Sequence, residues 1–200
     1  MTTVGAGRVT TAPDAARLSV SVLHTASSVA EALEGCAAAM VDLGEVARRF
    51  VADEAISSRG LNVWQQRGPT GEPAGFEARH QVEVVCGGLA QAGEVVTALA
   101  TVVGDALELQ GMDPFVRDPA PLLVVARESA FADARAKADH LAGLAGQQVV
   151  GAVSVSEGGA GGDVPVFARA AAKDFATTSF EPGSTAISAT VSVVWESAPR

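Results

Sequence analysis

Three histidines, two cysteines and a Gly-x-Gly near the start are the residues of this 200-residue chain suited to metal binding, nucleophilic attack or phosphate binding. A serine or cysteine nucleophile needs a base beside it and a third group to hold the base, and no Gly-x-Ser-x-Gly elbow is present. His80 falls on the apolar side of an alternating segment, while Glu83, three residues on, points to the other side, so the two do not share a metal as strand neighbours. His140 follows Asp139 and shares a charged helix side with Lys137, and His24 closes an earlier strand. Cys36 sits in a helical pattern and Cys86 in a strand pattern, and both read as buried thiols. Gly5-Ala6-Gly7 precedes a strand instead of following one and opening a helix, which makes it a turn or an N-terminal arm. Asp133 and Arg135, like Arg135 and Lys137, are two residues apart on a helix and point some 200° apart, so the three form no single site; Arg127, Asp133 and Lys137 are expected in surface or interface ion pairs. No catalytic, cofactor-binding or metal-binding residue is assigned, and no cofactor is expected.

The net charge narrows the partners. At −9, with basic residues scattered singly apart from Arg48-Arg49, the chain has no stripe able to neutralise several phosphates, which argues against nucleic acid and anionic membrane surfaces. The first residues have neither a basic region nor an apolar run, and no later stretch reaches membrane-spanning length, so a cytoplasmic location is expected. Lys137 and Lys173 are the only lysines, and Ala and Gly abound, as in proteins of GC-rich genomes. With 48% apolar but only 4% aromatic residues, the core must be built from Val, Ala and Leu.

The elements that position these residues follow from periodicity. Ala16–Val22 alternates as a half-wet strand, and Ser28 with Glu31 forms a capping box before Val29, Leu33, Cys36, Met40, Leu43, Ala47 and Phe50, an amphipathic helix. A hairpin follows, from Ile56 through Trp64 to a Gly/Pro turn and back along Phe76–Cys86, with Ala78, His80, Val82 and Val84 on the buried face. A second helix ends at Gly104, and a short strand covers Leu107–Met112. Leu122–Ala145 is a helix whose inner positions Ala130, Ala134, Ala138 and Ala145 are small enough for close backbone approach. Strands at Val149–Ser156 and Ile187–Trp195 complete the chain, separated by a long loop or arm at about 158–183.

Together these give an α+β fold: an antiparallel sheet with long amphipathic helices packed on one face, in the order strand-helix-strand-strand-helix-strand-helix-strand-strand. Two surfaces invite contact. Trp64 alternates with Asn62 and Gln66 on the wet side of its strand, as a ring partly covered by the long loop or as a subunit-contact anchor. The arm carries Val166, Phe167, Phe175 and Phe180, apolar anchors that a solvated linker does not need.

Gly5-x-Gly7 ahead of Pro13-Asp14, the Glu31-Ala32 helix, Pro182-Gly183 before the last strand, and above all the run from Ala126-Arg127-Glu128 through Ala130, Asp133-Ala134-Arg135, Lys137-Ala138 and Leu141-Ala142 to Gly146 resemble the SIMPL domain family, over nearly the whole chain. That family includes many bacterial proteins, often exported, and an animal protein that binds a pelle-like kinase. The resemblance implies helices against an antiparallel sheet, a single domain over residues 1–200 and no established catalytic residues; some exported members form ring-like oligomers. The expectation is a non-enzymatic domain that binds an unknown protein partner or self-assembles as a homo-oligomer, with Trp64, Phe167, Phe175 and Phe180 as interface residues. The alternative is a small-molecule-binding or enzymatic domain with a pocket between the helices and the long loop.

Overall fold

A computed structural model of the chain describes residues 1–158 and 183–200. The element order is β1 (Thr2–Thr11), β2 (Ala15–Ala26), α1 (Val29–Ala47), β3 (Ile56–Arg67), β4 (Pro73–Cys86), α2 (Leu89–Val103), β5 (Leu107–Phe115), α3 (Ala120–Leu144), β6 (Gln147–Glu157) and β7 (Thr185–Pro199). The α+β class and the expected order hold from β2 onward, and one strand, β1, is added ahead of it. The strands form two antiparallel sheets rather than one, and the chain divides into two compact units, Pro13–Phe115 and Met1–Ala12 with Val116–Arg200.

In the unit Pro13–Phe115 the sheet order is β3-β4-β2-β5, every neighbour antiparallel. With α1 and α2 as crossovers this is the split β-α-β, or ferredoxin-like, arrangement. Alternation along the strands puts Leu18, Val20 and Val22 of β2 and Ala78, Val82, Val84 and Cys86 of β4 on one face, where Cys36, Leu43 and Val46 of α1 and Val95 and Leu99 of α2 cover them. Each fully buried Val or Leu in that layer stabilises the unit by about 1.5–3 kcal/mol. Helix α1 begins as its capping box requires: Ser28 Oγ accepts the Glu31 N–H at 3.3 Å, and the Glu31 carboxylate accepts the Ser27 hydroxyl at 2.6 Å. Gly104 stops α2 at a positive φ of 62°, a backbone that favours glycine.

The second unit holds the sheet β1-β7-β6 with α3 packed on it. Gly5-Ala6-Gly7, expected as a turn or arm, lies inside β1. The fully buried residues of β1 are Thr3, Gly5 and Gly7, and the half-buried Val9 is the one apolar side chain on that face, too little for a sequence pattern to register. The glycines are there because α3 lies on them: a Cβ at Gly5 would fall 1.9 Å from the Ala130 carbonyl oxygen, and one at Gly7 1.9 Å from that of Ala126. The small inner positions of α3 permit this approach, with Ala126, Ala130, Ala134 and Ala138 all fully buried.

Candidate functional site

Most residues of the α3 motif are absorbed by the fold. β1 is an edge strand, and two side chains one helical turn apart blunt its outer backbone. Asp133 Oδ2 accepts the Ala6 N–H at 2.9 Å, Lys137 Nζ donates to the Val4 carbonyl at 3.0 Å, and the two pair with each other at 2.7 Å. Lys137 and the Ala6 amide together hold the Asp133 carboxyl below its ordinary pKa. Beneath them Thr3 Oγ1 donates to the Ala134 carbonyl at 2.8 Å and accepts the Trp195 indole N–H at 2.7 Å, a buried polar relay with every member satisfied. Arg135 stacks its guanidinium 5.4 Å from the Trp195 ring centroid and pairs with Asp139, while Phe131 meets the same ring at 5.4 Å.

β6 is treated differently. A helix about 10 Å across spans roughly two strands at their usual spacing of about 4.8 Å, and α3 lies over β1 and β7. Among the described residues, Val149 packs under α3 but nothing covers the inner side of β6 at Val155. Between it and α3 runs a cleft of about 510 Å³ lined by Arg127, Glu128, Phe131, Val155, Glu157 and Val191. Arg127 pairs with Glu157 at 2.6 Å on its rim. Two bulges, at Val150 and Val153, interrupt the ladder to β7, and Val150, Val153 and Val155 are 57%, 68% and 54% exposed. This edge and cleft were not among the surfaces expected from the sequence. Their signal was available in the run Gln147–Ser156, which carries no charge in a chain of net charge −9.

On the unit Pro13–Phe115 the sheet face opposite the helices carries Trp64, 39% exposed, on the wet side as expected. Its ring is flanked by the Arg79 guanidinium at 5.5 Å. Arg79 pairs with Glu77 at 3.3 Å and Glu108 at 2.7 Å, and Gln66 donates to Glu77 at 2.6 Å. Farther along, Glu83 receives Arg59 at 2.6 Å, while Arg17 Nε stands 3.1 Å away at ion-pair distance without hydrogen-bond alignment. The Arg59 hydrogen bond, before any other cause, holds the Glu83 carboxyl below its usual range. This face is a mosaic of neutralised charge around one indole. Phe167, Phe175 and Phe180, the other expected contact residues, lie outside the described residues, as does most of the arm that carries them.

The residues suited to chemistry are dispersed. His80 Nε2 is 2.9 Å from Ser58 Oγ on the helix side of the sheet, the His24 ring lies against Gly35 of α1, and His140 is exposed on α3. Among the described residues no cluster of three metal-binding side chains occurs. Cys36 and Cys86 are both buried, and burial pushes both thiols up in pKa, away from the reactive thiolate. No helix among the described residues is long and apolar enough to cross a membrane.

The profile of the SIMPL family, described as a protein of unknown function (DUF541), matches residues 1–195, across both units. The chain belongs to the SIMPL family. In the SIMPL chain the Ala/Asp/Lys helix run is thus the seam that joins α3 to β1. No curated protein matches it. Among solved structures it is similar to a hydantoinase/carbamoylase family amidase from Burkholderia ambifaria, at 13% identity and TM-score 0.32 over 60% of this chain and 34% of that one. It is also similar to a putative amidohydrolase/peptidase from Burkholderia cenocepacia, at 16% identity and TM-score 0.28 over 64% of this chain and 34% of that one. The SIMPL chain thus spans about a third of the length of either structure. TM-scores this low do not amount to a shared fold, and neither enzyme lends its activity to this chain.

Proposed function

We propose that this SIMPL domain is a non-enzymatic, cytoplasmic protein of bacterial origin that acts by self-association or by binding another protein. The observation that carries the reading is the outer edge of β6, which pairs with no strand among the described residues, where Val150, Val153 and Val155 are each more than half exposed and Val155 lines a cleft with Phe131 and Val191. Exposed apolar surface on a strand edge is costly to leave in water and is a template for pairing with another chain. Trp64, held upright among ion pairs, is the corresponding anchor on the other unit.

The deciding measurement is the solution mass of the untagged protein by light scattering coupled to size exclusion at several concentrations. The expected result is a stable multiple of the 20.2 kDa chain. A monomer at every concentration would count against self-association and direct the search to a different protein partner.

A further inference from the structure

We infer that β6 pairs edge to edge, antiparallel, with β6 of a second copy of this chain, joining two three-stranded sheets into one continuous sheet; the inference rests on the self-association reading above. The four sheet edges among the described residues are not alike. β1 has its outer backbone engaged by Asp133 and Lys137. β3 carries Arg59 and Arg67, and β5 carries Glu108, Asp113 and Pro114, the charged and proline residues that discourage strand addition. From Gln147 to Ser156 β6 holds no charge and no proline, and its two bulges, at Val150 and Val153, are the one irregularity along it. Arg135 Nη2 reaches the Val149 carbonyl at 3.5 Å, and no other side-chain hydrogen bond from α3 to the β6 backbone occurs among the described residues.

The occupant follows from charge. A twofold antiparallel pair sets a strand against itself, so any charge near its centre meets its own like. Two chains of net charge −9 repel one another as wholes, but β6 brings no like charges together from Gln147 to Ser156. Its one charged residue, Glu157, lies at an end, and antiparallel pairing places it beside the neutral Gln147 end of the partner strand. The uncovered inner side of β6 at Val155 leaves the cleft free to receive apolar side chains from the second copy.

The test compares the wild type with Val153→Lys, which puts a charge at the most exposed valine of the edge, and with Val124→Lys, an equal charge change on an exposed position of α3. A wild-type oligomer, a monomeric folded Val153→Lys and an unchanged Val124→Lys support the pairing. An oligomer that survives in folded Val153→Lys overturns it and leaves self-association standing through another surface, whereas a wild-type monomer overturns both. Should Val153→Lys fail to fold, amide exchange of the wild type decides: protection of residues 148–156 that rises with protein concentration supports the pairing, and concentration-independent protection overturns it.

Discussion

Gly5 lies so close to Ala130 that the Cβ of any other residue would sit 1.9 Å from the helix carbonyl. A strand glycine normally loses stability through its backbone freedom, so replacing it by alanine at an unhindered site is mildly favourable. Here the obstacle is helix backbone, which cannot step aside as a flexible side chain would. Gly5→Ala is expected to lower stability by at least about 1–3 kcal/mol, the range for overpacking a tight contact. Gly93→Ala on α2, where nothing lies within 4 Å, is expected to raise it by about 1 kcal/mol. Urea-unfolding midpoints of the two variants should move in opposite directions.

The Asp133 carboxyl is depressed in the folded state by Lys137 and the Ala6 amide. A depressed carboxylate contributes stability that is complete above its unfolded pKa of about 3.9 and is lost as pH falls through the folded value. Asp133→Asn removes that dependence while keeping an acceptor for the Ala6 N–H. Between about pH 6 and about pH 2, the unfolding midpoint of the wild type should therefore fall further than that of the variant. Equal falls would place the acid sensitivity elsewhere.

Thr3→Val keeps the shape of the side chain but strands the Trp195 indole N–H in a buried site. A cost of about 1–3 kcal/mol is expected, that of an unsatisfied buried donor. Trp195→Phe made together with Thr3→Val removes the donor as well, so the double variant should lose less than the sum of the two single ones. A double-mutant cycle in urea measures the difference.

Cys36 and Cys86 should react with a thiol reagent only as fast as the protein opens, because burial both hides them and keeps them protonated. Labelling followed by mass spectrometry is expected to show both thiols unmodified in native buffer and both modified in denaturant.

Periodicity disclosed the elements that bury side chains on one face. β4, with Ala78, Val82, Val84 and Cys86 turned inward, and β7, with Ile187, Val191, Val193 and Trp195, announce themselves because alternation is what packing on one face requires. β1 did not, since its fully buried residues are Thr3, Gly5 and Gly7, and a strand pressed against helix backbone has few apolar side chains to alternate. The division into two sheets was equally hidden, because it depends on which strands pair across long stretches of chain. The α3 run stood out in the sequence, but its reason lay in three dimensions: Ala126, Ala130 and Ala134 are spaced to fit Gly5 and Gly7, and Asp133 and Lys137 to reach the backbone of β1. The β6 edge went unread because alternation indicates a strand but not whether a neighbour lies beside it.

The unit that contains Gly5 is assembled from Met1–Ala12 and Val116–Arg200, with the other unit encoded between them. On the ribosome β1 emerges well before β7, although β7 pairs with β1 along the whole length of β1, from Thr2↔Val194 to Thr11↔Thr185. The intervening Pro13–Phe115 has all its strand partners in hand long before then and can fold during synthesis. β1 has to wait for its strand partner, so a chain that stops between residues 116 and 185 carries one finished unit and one that never closes.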